Sequence, residues 1–197
     1  MNTVQPTNDS TAQPVALPGL AEPEEHWREV LRDGTEVSIR PIHKQDAELE
    51  RRFIEGLSPR SRHFRFLEAM KSPSDALLRQ LTDIDSSTDA AYVALIVEGT
   101  EEREIGVARL SSRPDGTDCE FAVTVSDEWQ HKGLGTLMMK HLIDVARTRG
   151  IESMYSSDAA DNDLMRKFAE HLDFQHRRDP DDARQVLYTV DLRTAGL

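Results

Sequence analysis

Hydrophobic and polar positions follow two rhythms along this chain, and the rhythms divide it into elements. From Thr35 to Pro41 they alternate with period two, Val37 and Ile39 sharing a face, which predicts a strand after an Asp33-Gly34 turn. From Asp46 the period lengthens. Leu49, Phe53, Ile54 and Leu57 fall at helical spacing, and Ser58-Pro59 ends the segment. Pro59 opens a second helix through Met70 with Phe64, Phe66 and Leu67, and Ser74 to Thr82 reads as a third with Leu77, Leu78 and Leu81. Ala91 to Val97 is a tight apolar run, expected as a buried strand. Glu101 to Glu104 reads as a charged hairpin turn. Ile105 to Leu110 and Cys119 to Val125 read as strands joined by a Pro114-Asp115-Gly116 turn.

The helical rhythm returns after Gly135, with Leu134, Leu137, Met138, Leu142, Val145 and Ala146 on one stripe and Gly150 as the stop. Ser153 to Ser157 is a short strand. Asp161 to Leu172 is a helix with Leu164, Met165, Phe168 and Leu172 inward, and Phe174 to Arg178 with Gln185 to Asp191 forms a closing hairpin. Strands and helices in this order predict an α/β (α+β) domain with a mixed, mainly antiparallel sheet flanked by helices. Residues 1–25, rich in Pro, Ser, Thr, Asn and Gln and lacking Lys and Arg, read as a disordered tail, which leaves 26–197 as a single domain.

Composition narrows the functional classes. The formal net charge of −12 disfavours nucleic acid as a partner; it suits a cationic acceptor, or serves only solubility. No apolar run approaches the roughly 18 residues that a membrane span needs. The N-terminus shows no secretory pattern. Cys119, the only cysteine, allows no internal disulfide, and a cytoplasmic location is expected. The seven histidines show no ligand spacing, so no metal is expected.

The candidate chemistry starts at Gln130-His131-Lys132-Gly133-Leu134-Gly135, between the strand Cys119–Val125 and the long helix. A strand, a glycine turn and a helix N-terminus make an anion cradle. Glycine admits close backbone approach, and the first free N–H groups of the helix point at the ligand. The string is not GxxxxGK[ST]. It is not GxGxxG either, because Met138 stands at the third glycine position.

The Q-x-x-G-x-G string resembles the acyl-CoA pyrophosphate loop of the GNAT acetyltransferase superfamily. Further stretches bring the likeness closer to the GNAT domains of Pat-type bacterial protein lysine acetyltransferases: Leu31-Arg32-Asp33-Gly34-Thr35, Ile39-Arg40-Pro41-Ile42, Phe53 to Pro59, Ser61 to Phe66, Glu104 to Leu110 and Cys119 to Val123. The resemblance spans roughly residues 31 to 192 and implies the GNAT fold. It also implies acetyl-CoA as cosubstrate and a protein lysine acceptor, with acyl-CoA synthetases the leading target class. Neither the acyl-CoA-synthetase-like nor the cyclic-nucleotide-binding region of larger relatives is expected in this chain.

The resemblance assigns roles by position. Glu120 is the expected general base. Val123 and Val125 would offer main-chain groups to the pantetheine arm, from a strand that splays from its neighbour. The backbone from His131 through Lys132, Gly133, Leu134 and Gly135 to Thr136, with Gln130, would hold the pyrophosphate. Lys132 either pairs with a phosphate or is a solvated loop lysine. Asn162 contacts the CoA arm, caps the last helix, or both, with Asp161 as an alternative cap. Two positions depart from the family: Ala169 where a tyrosine acid is common, and Asp173 where Gly precedes Phe174. Cys119 is expected to be structural, because its neighbour Glu120 would raise its pKa. Arg60, Arg62, His63 and Arg65 could line the acceptor entrance or contact CoA, but a solvated face is the plainer expectation. The competing functions are a small-amine acetyltransferase and a non-catalytic acyl-CoA-binding module.

Overall fold

The computed structural model describes residues 26–67, 70–113 and 116–196. The expected tail, and Pro114 and Asp115 of the expected turn, lie outside them. Among the described residues eight strands form one sheet: β1 (Trp27–Val30), β2 (Glu36–Pro41), β3 (Asp89–Glu98), β4 (Glu101–Ser112), β5 (Asp118–Val125), β6 (Ser153–Ala159), β7 (Gln175–Arg178) and β8 (Gln185–Asp191). Their order is β1-β2-β3-β4-β5-β6-β8-β7, and only β5 and β6 run parallel. Among the described residues five α-helices cover the sheet: α1 (Ala47–Gly56), α2 (Pro59–Phe66), α3 (Asp75–Thr82), α4 (Leu134–Thr148) and α5 (Asp163–His171). This is the GNAT fold expected above.

Two apolar layers sandwich the sheet. On one face Ile39, Tyr92, Ala94, Leu110 and Phe121 pack against Leu134, Met138, Leu142 and Ile143 of α4 and Ala169 of α5. On the other, Val93, Leu95 and Val107 pack against Phe53 and Ile54 of α1 and Leu78 and Leu81 of α3. Strand β3 is buried on both faces from Ala90 to Ile96, which is why it reads as an unbroken apolar run.

The structure corrects several elements. Trp27–Val30 forms a strand that the pattern did not suggest, paired with β2 and anchored where the Trp27 ring stacks on His141 at 4.3 Å and meets Tyr92 edge-on at 5.2 Å. Glu101–Glu104 is not a turn. It opens β4, with Glu98 paired to Glu101, and the turn is Gly99-Thr100. Helix α2 stops at Phe66, where Leu67 turns left-handed (φ 53°) and donates its N–H to the His63 carbonyl. In α5, Ala169 is fully buried, while Leu164, Met165 and Phe168 are only half-buried. Asp173 adopts φ 53°, the conformation that a glycine would favour.

Candidate functional site

Strand β5 bonds to β4 along Cys119–Val125, but to β6 only through Asp118, Cys119 and Glu120, opposite Ser153, Met154 and Tyr155. Beyond Glu120 the two strands part, and β6 continues against β8. A wedge therefore opens between Phe121–Val125 and Ser156–Ala159. The family resemblance implied a splay on this strand, and the sheet divides here.

Glu120 stands at the apex of the wedge. It is exposed, opposite Tyr155 on one side and Ser111 on the other, and no hydrogen bond or ion pair forms to its carboxylate among the described residues. Strand alternation turns it away from the α4 layer, where buried Cys119 and Phe121 point. Burial, helped by the negative charges of Glu120 and Asp118, raises the Tyr155 pKa. Burial and then the like charge of Arg109 draw Arg65 down to about 10, against the opposing pull of Glu50 and Glu120. Arg65 is half-buried, with its guanidinium 5.0 Å from the centre of the Phe66 ring. Arg62 turns back to donate to the Glu55 carbonyl at 2.8 Å, whereas Arg60 and His63 are exposed, so the α2 basic cluster is divided between the fold and the solvent.

The wide end of the wedge meets the glycine loop. One turn of 3-10 helix (Asp127–Trp129) follows β5, and the Gln130 side chain donates back to the Val125 carbonyl at 3.2 Å. His131 (φ 62°) and Gly133 (φ 91°) are both left-handed, and no side chain caps α4. The first N–H groups of α4 (Leu134, Gly135 and Thr136) thus belong to a helix end with no protein cap. A Cβ at Gly135 would lie 3.6 Å from Phe168 of α5 and 3.7 Å from Val125 of β5, which places this glycine at the mouth of the wedge. Val123 and Val125 are half-buried and pack on the α4 layer.

Lys132 is half-exposed and paired within the chain. Its ammonium pairs with Asp33 at 3.0 Å and sits 4.3 Å from the centre of the Trp129 ring. Hydrogen bonding from Thr35, then from Lys132, holds the Asp33 pKa at about 2. Arg32, which the sequence did not single out, brings its guanidinium Nε to 3.6 Å from where a Cβ on Gly133 would stand. Only the packing of the β1–β2 hairpin on the loop puts it there, and no local signal carries that.

Asn162 is the cap of α5. Its Oδ1 accepts from the Met165 N–H at 3.2 Å and its Nδ2 donates to Asp158 at 3.0 Å, so Asp161 is not the cap. Ala169 is fully enclosed. Burial, with Asp118 nearby, pushes the Cys119 thiol up to about 12, as a structural cysteine requires. No cluster of three His, Cys, Asp or Glu side chains suited to a metal ion occurs among the described residues.

Residues 59–174 match the family model described as Acetyltransferase (GNAT) family. The chain is 48% identical over 168 residues to the Pseudomonas aeruginosa acetyltransferase PA5475, covering 85% of this chain and 90% of that one. It is 29% identical to acetyltransferase Pat of Mycolicibacterium smegmatis over 143 residues, which are 72% of this chain but 42% of that protein. Among solved structures, the GNAT domain of S. lividans PAT superposes with a TM-score of 0.77 at 25% identity, covering 84% of this chain and 96% of that domain. A cAMP-binding acyltransferase from Mycobacterium smegmatis matches with a TM-score of 0.59 at 25% identity, covering 88% of this chain and 50% of that one.

Proposed function

This chain belongs to the GNAT acetyltransferase family, and from that premise we propose that it moves the acetyl group of acetyl-CoA onto a protein lysine amine. The observation that carries the reading is the parting of β5 from β6 directly after Glu120, which sets a carboxylate with no protein partner at the apex of the wedge. A lysine ammonium has a reference pKa of about 10.4, so roughly a few molecules in ten thousand are neutral at pH 7. Attack therefore needs a base, and Glu120 takes the proton directly or through one water. The amine nitrogen adds to the thioester carbonyl, the main-chain N–H of Val123 polarises the oxygen, and the tetrahedral adduct expels the CoA thiolate. The backbone from His131 to Thr136, with Gln130, holds the pyrophosphate, and the uncapped start of α4 supports that role. Cys119, buried and protonated, takes no part.

The acceptor assignment rests on the likeness to the Pat domain of S. lividans, and the net charge of −12 favours a basic partner. An acyl-CoA synthetase is the proposed target class. The test is CoA release from acetyl-CoA with a purified acyl-CoA synthetase as acceptor, comparing wild type with Glu120→Ala. The reading expects activity in the wild type and a loss of about 10²-fold or more in the variant, the scale of general-base catalysis. Undiminished activity in the variant removes Glu120 as the base. Acetyl-CoA binding with turnover only on free amines, or on no acceptor, overturns the protein-lysine assignment.

A further inference from the structure

Tyr155 of β6 stands opposite Glu120 in the last pair before β5 and β6 part. Paired residues of a ladder share a face of the sheet. The preceding pair, Cys119 and Met154, is fully buried on the α4 side, so Glu120 and Tyr155 both project from the other face. The same row runs to Ser111 of β4 in one direction and, through Thr189 of β8, to Gln175 of β7 in the other. Ser111, Glu120 and Gln175 are exposed, and Tyr155 and Thr189 are half-buried. The apolar layer on this face packs α1 and α3 on β3 and β4, and among the described residues it takes in no residue of β6 or β8. The row is thus a polar strip that lies open where it crosses the apex of the wedge.

Like the Glu120 carboxylate, the Tyr155 hydroxyl has no hydrogen-bond partner among the described residues. Burial, with the charges of Glu120 and Asp118, raises its pKa, so at neutral pH the phenol is uncharged and can both donate and accept. Neighbouring strands lie about 4.8 Å apart, and side chains stand roughly perpendicular to the sheet. Two N–H groups of one tetrahedral nitrogen, each about 2.9 Å from its acceptor, point at oxygens about 4.7 Å apart. The two spacings match. We infer that Tyr155 is an acceptor-binding residue: its hydroxyl accepts one N–H of the incoming lysine ammonium while Glu120 accepts another, and its ring covers the lysine methylenes. This rests on the acetyl-transfer reading for the identity of the amine, and it adds the group that orients it. Once Glu120 has taken a proton, the bond to Tyr155 still holds the neutral nitrogen with its lone pair turned towards the thioester. Tyr155 keeps its own proton throughout. An aromatic ring beside a carboxylate also suits a side chain that is apolar along its stem and cationic at its tip.

The test compares initial rates of wild type and Tyr155→Phe, varying acetyl-CoA and the acceptor separately. The acceptors are a purified acyl-CoA synthetase and a blocked lysine, N-acetyl-lysine methylamide. The variant keeps the ring, and an unchanged melting temperature checks its fold. Losing a hydrogen bond to a charged group should raise the acceptor KM about tenfold or more. The acetyl-CoA KM and kcat should change little, because the bond forms in ground and transition states alike. A purely structural role would move both KM values together or neither. An acceptor KM that holds, or that rises no more than the acetyl-CoA KM, overturns the inference. Turnover of blocked lysine alone refutes the protein acceptor and leaves Tyr155 judged by the KM of that amine. Where wild type acetylates neither, the transfer reading fails and binding decides. Blocked lysine added to the CoA complex should then shift the amides of residues 118–122 and 153–157 in wild type, and about tenfold more weakly in the variant. Shifts that are absent, or equal in the two proteins, overturn the role of Tyr155.

Discussion

Replacing Gly135 with alanine separates stability from ligand binding at the mouth of the wedge. The new methyl would meet Phe168 at 3.6 Å and Val125 at 3.7 Å, ordinary contact distances, so the ligand-free protein accommodates it. Gly135 is helical, and Gly→Ala in a helix gains up to about 0.5–1 kcal/mol. At roughly 2–4 °C per kcal/mol for a domain of this size, the melting temperature should hold or rise by about 1–4 °C. The same methyl, however, projects between β5 and α5, into the space that the proposed reading gives to the pantetheine arm. Forcing one extra methyl into a filled space costs about 1–3 kcal/mol, or roughly 5- to 150-fold in binding. Initial-rate measurements should therefore show a raised KM for acetyl-CoA with a far smaller change in kcat, alongside an unchanged or higher Tm. A normal KM in the folded variant would refute the placement of the cofactor arm. A fall of several degrees in Tm would refute the packing argument.

Other perturbations bear on separate parts of the structure. Asn162→Ala removes the α5 cap and a donor to the half-buried Asp158, and chemical denaturation should show a loss of about 1–2 kcal/mol. A retained acetyl-CoA KM in that variant would make the cap its only role. Arg32→Ala should raise the KM of acetyl-CoA more than that of acetyl-pantetheine, which lacks the phosphates; equal effects would remove Arg32 from the phosphate site. Glu104 titrates well above its ordinary value of 4.5, because burial and the facing Glu50 oppose its charge, with Asp46 adding to this and Arg109 opposing it. The folded protein therefore keeps a proton that the unfolded chain releases above pH 4.5, and stability falls as pH rises through that window. Glu104→Gln abolishes this dependence, so the Tm advantage of the variant should widen from pH 4.5 towards 8; a constant gap would contradict it.

What the sequence made legible was local. The helix α4 and the loop before it follow from a 3.6-residue stripe and two glycines within a few residues of one another. The parting of β5 and β6 was expected from family likeness and is seen in the register, which ends at Glu120 and Tyr155. What it hid was decided by distant contacts. Trp27–Val30 is too short and too exposed to announce a strand, and it becomes one because Trp27 packs on His141 and Glu29 pairs with it at 2.9 Å. Glu101–Glu104 looks like a turn because four residues in a row are charged. Yet β4 needs them to continue the ladder with β3, and a register shift there turns Glu104 into the α1 layer. Charge alone carried no sign that one of these carboxyls would be buried.

The short glycine motif also understates what shapes the loop. His131 holds a left-handed conformation that costs a non-glycine residue about 1–3 kcal/mol, so something outside the motif must fix it. Three ties do so, one local and two from distant segments. Lys132 reaches Asp33 in the β1–β2 hairpin, Gln130 reaches the end of β5, and Asp127 accepts from the Ser58 N–H at 2.8 Å and from the Ser58 and Ser61 hydroxyls at the start of α2. The ion pair is half-exposed and contributes at most about 1 kcal/mol, so energy is not its main effect. The common consequence is geometric. The backbone that would grip a diphosphate is held from the hairpin side by Lys132 and from the α2 side by Asp127. Ser58, which ends the α1–α2 connection, therefore couples the helices lying over Glu120's face of the sheet to the phosphate end of the wedge. A loop with two left-handed residues is stable here because tertiary anchors over-determine it, and those anchors, more than the glycines, set where the cradle points.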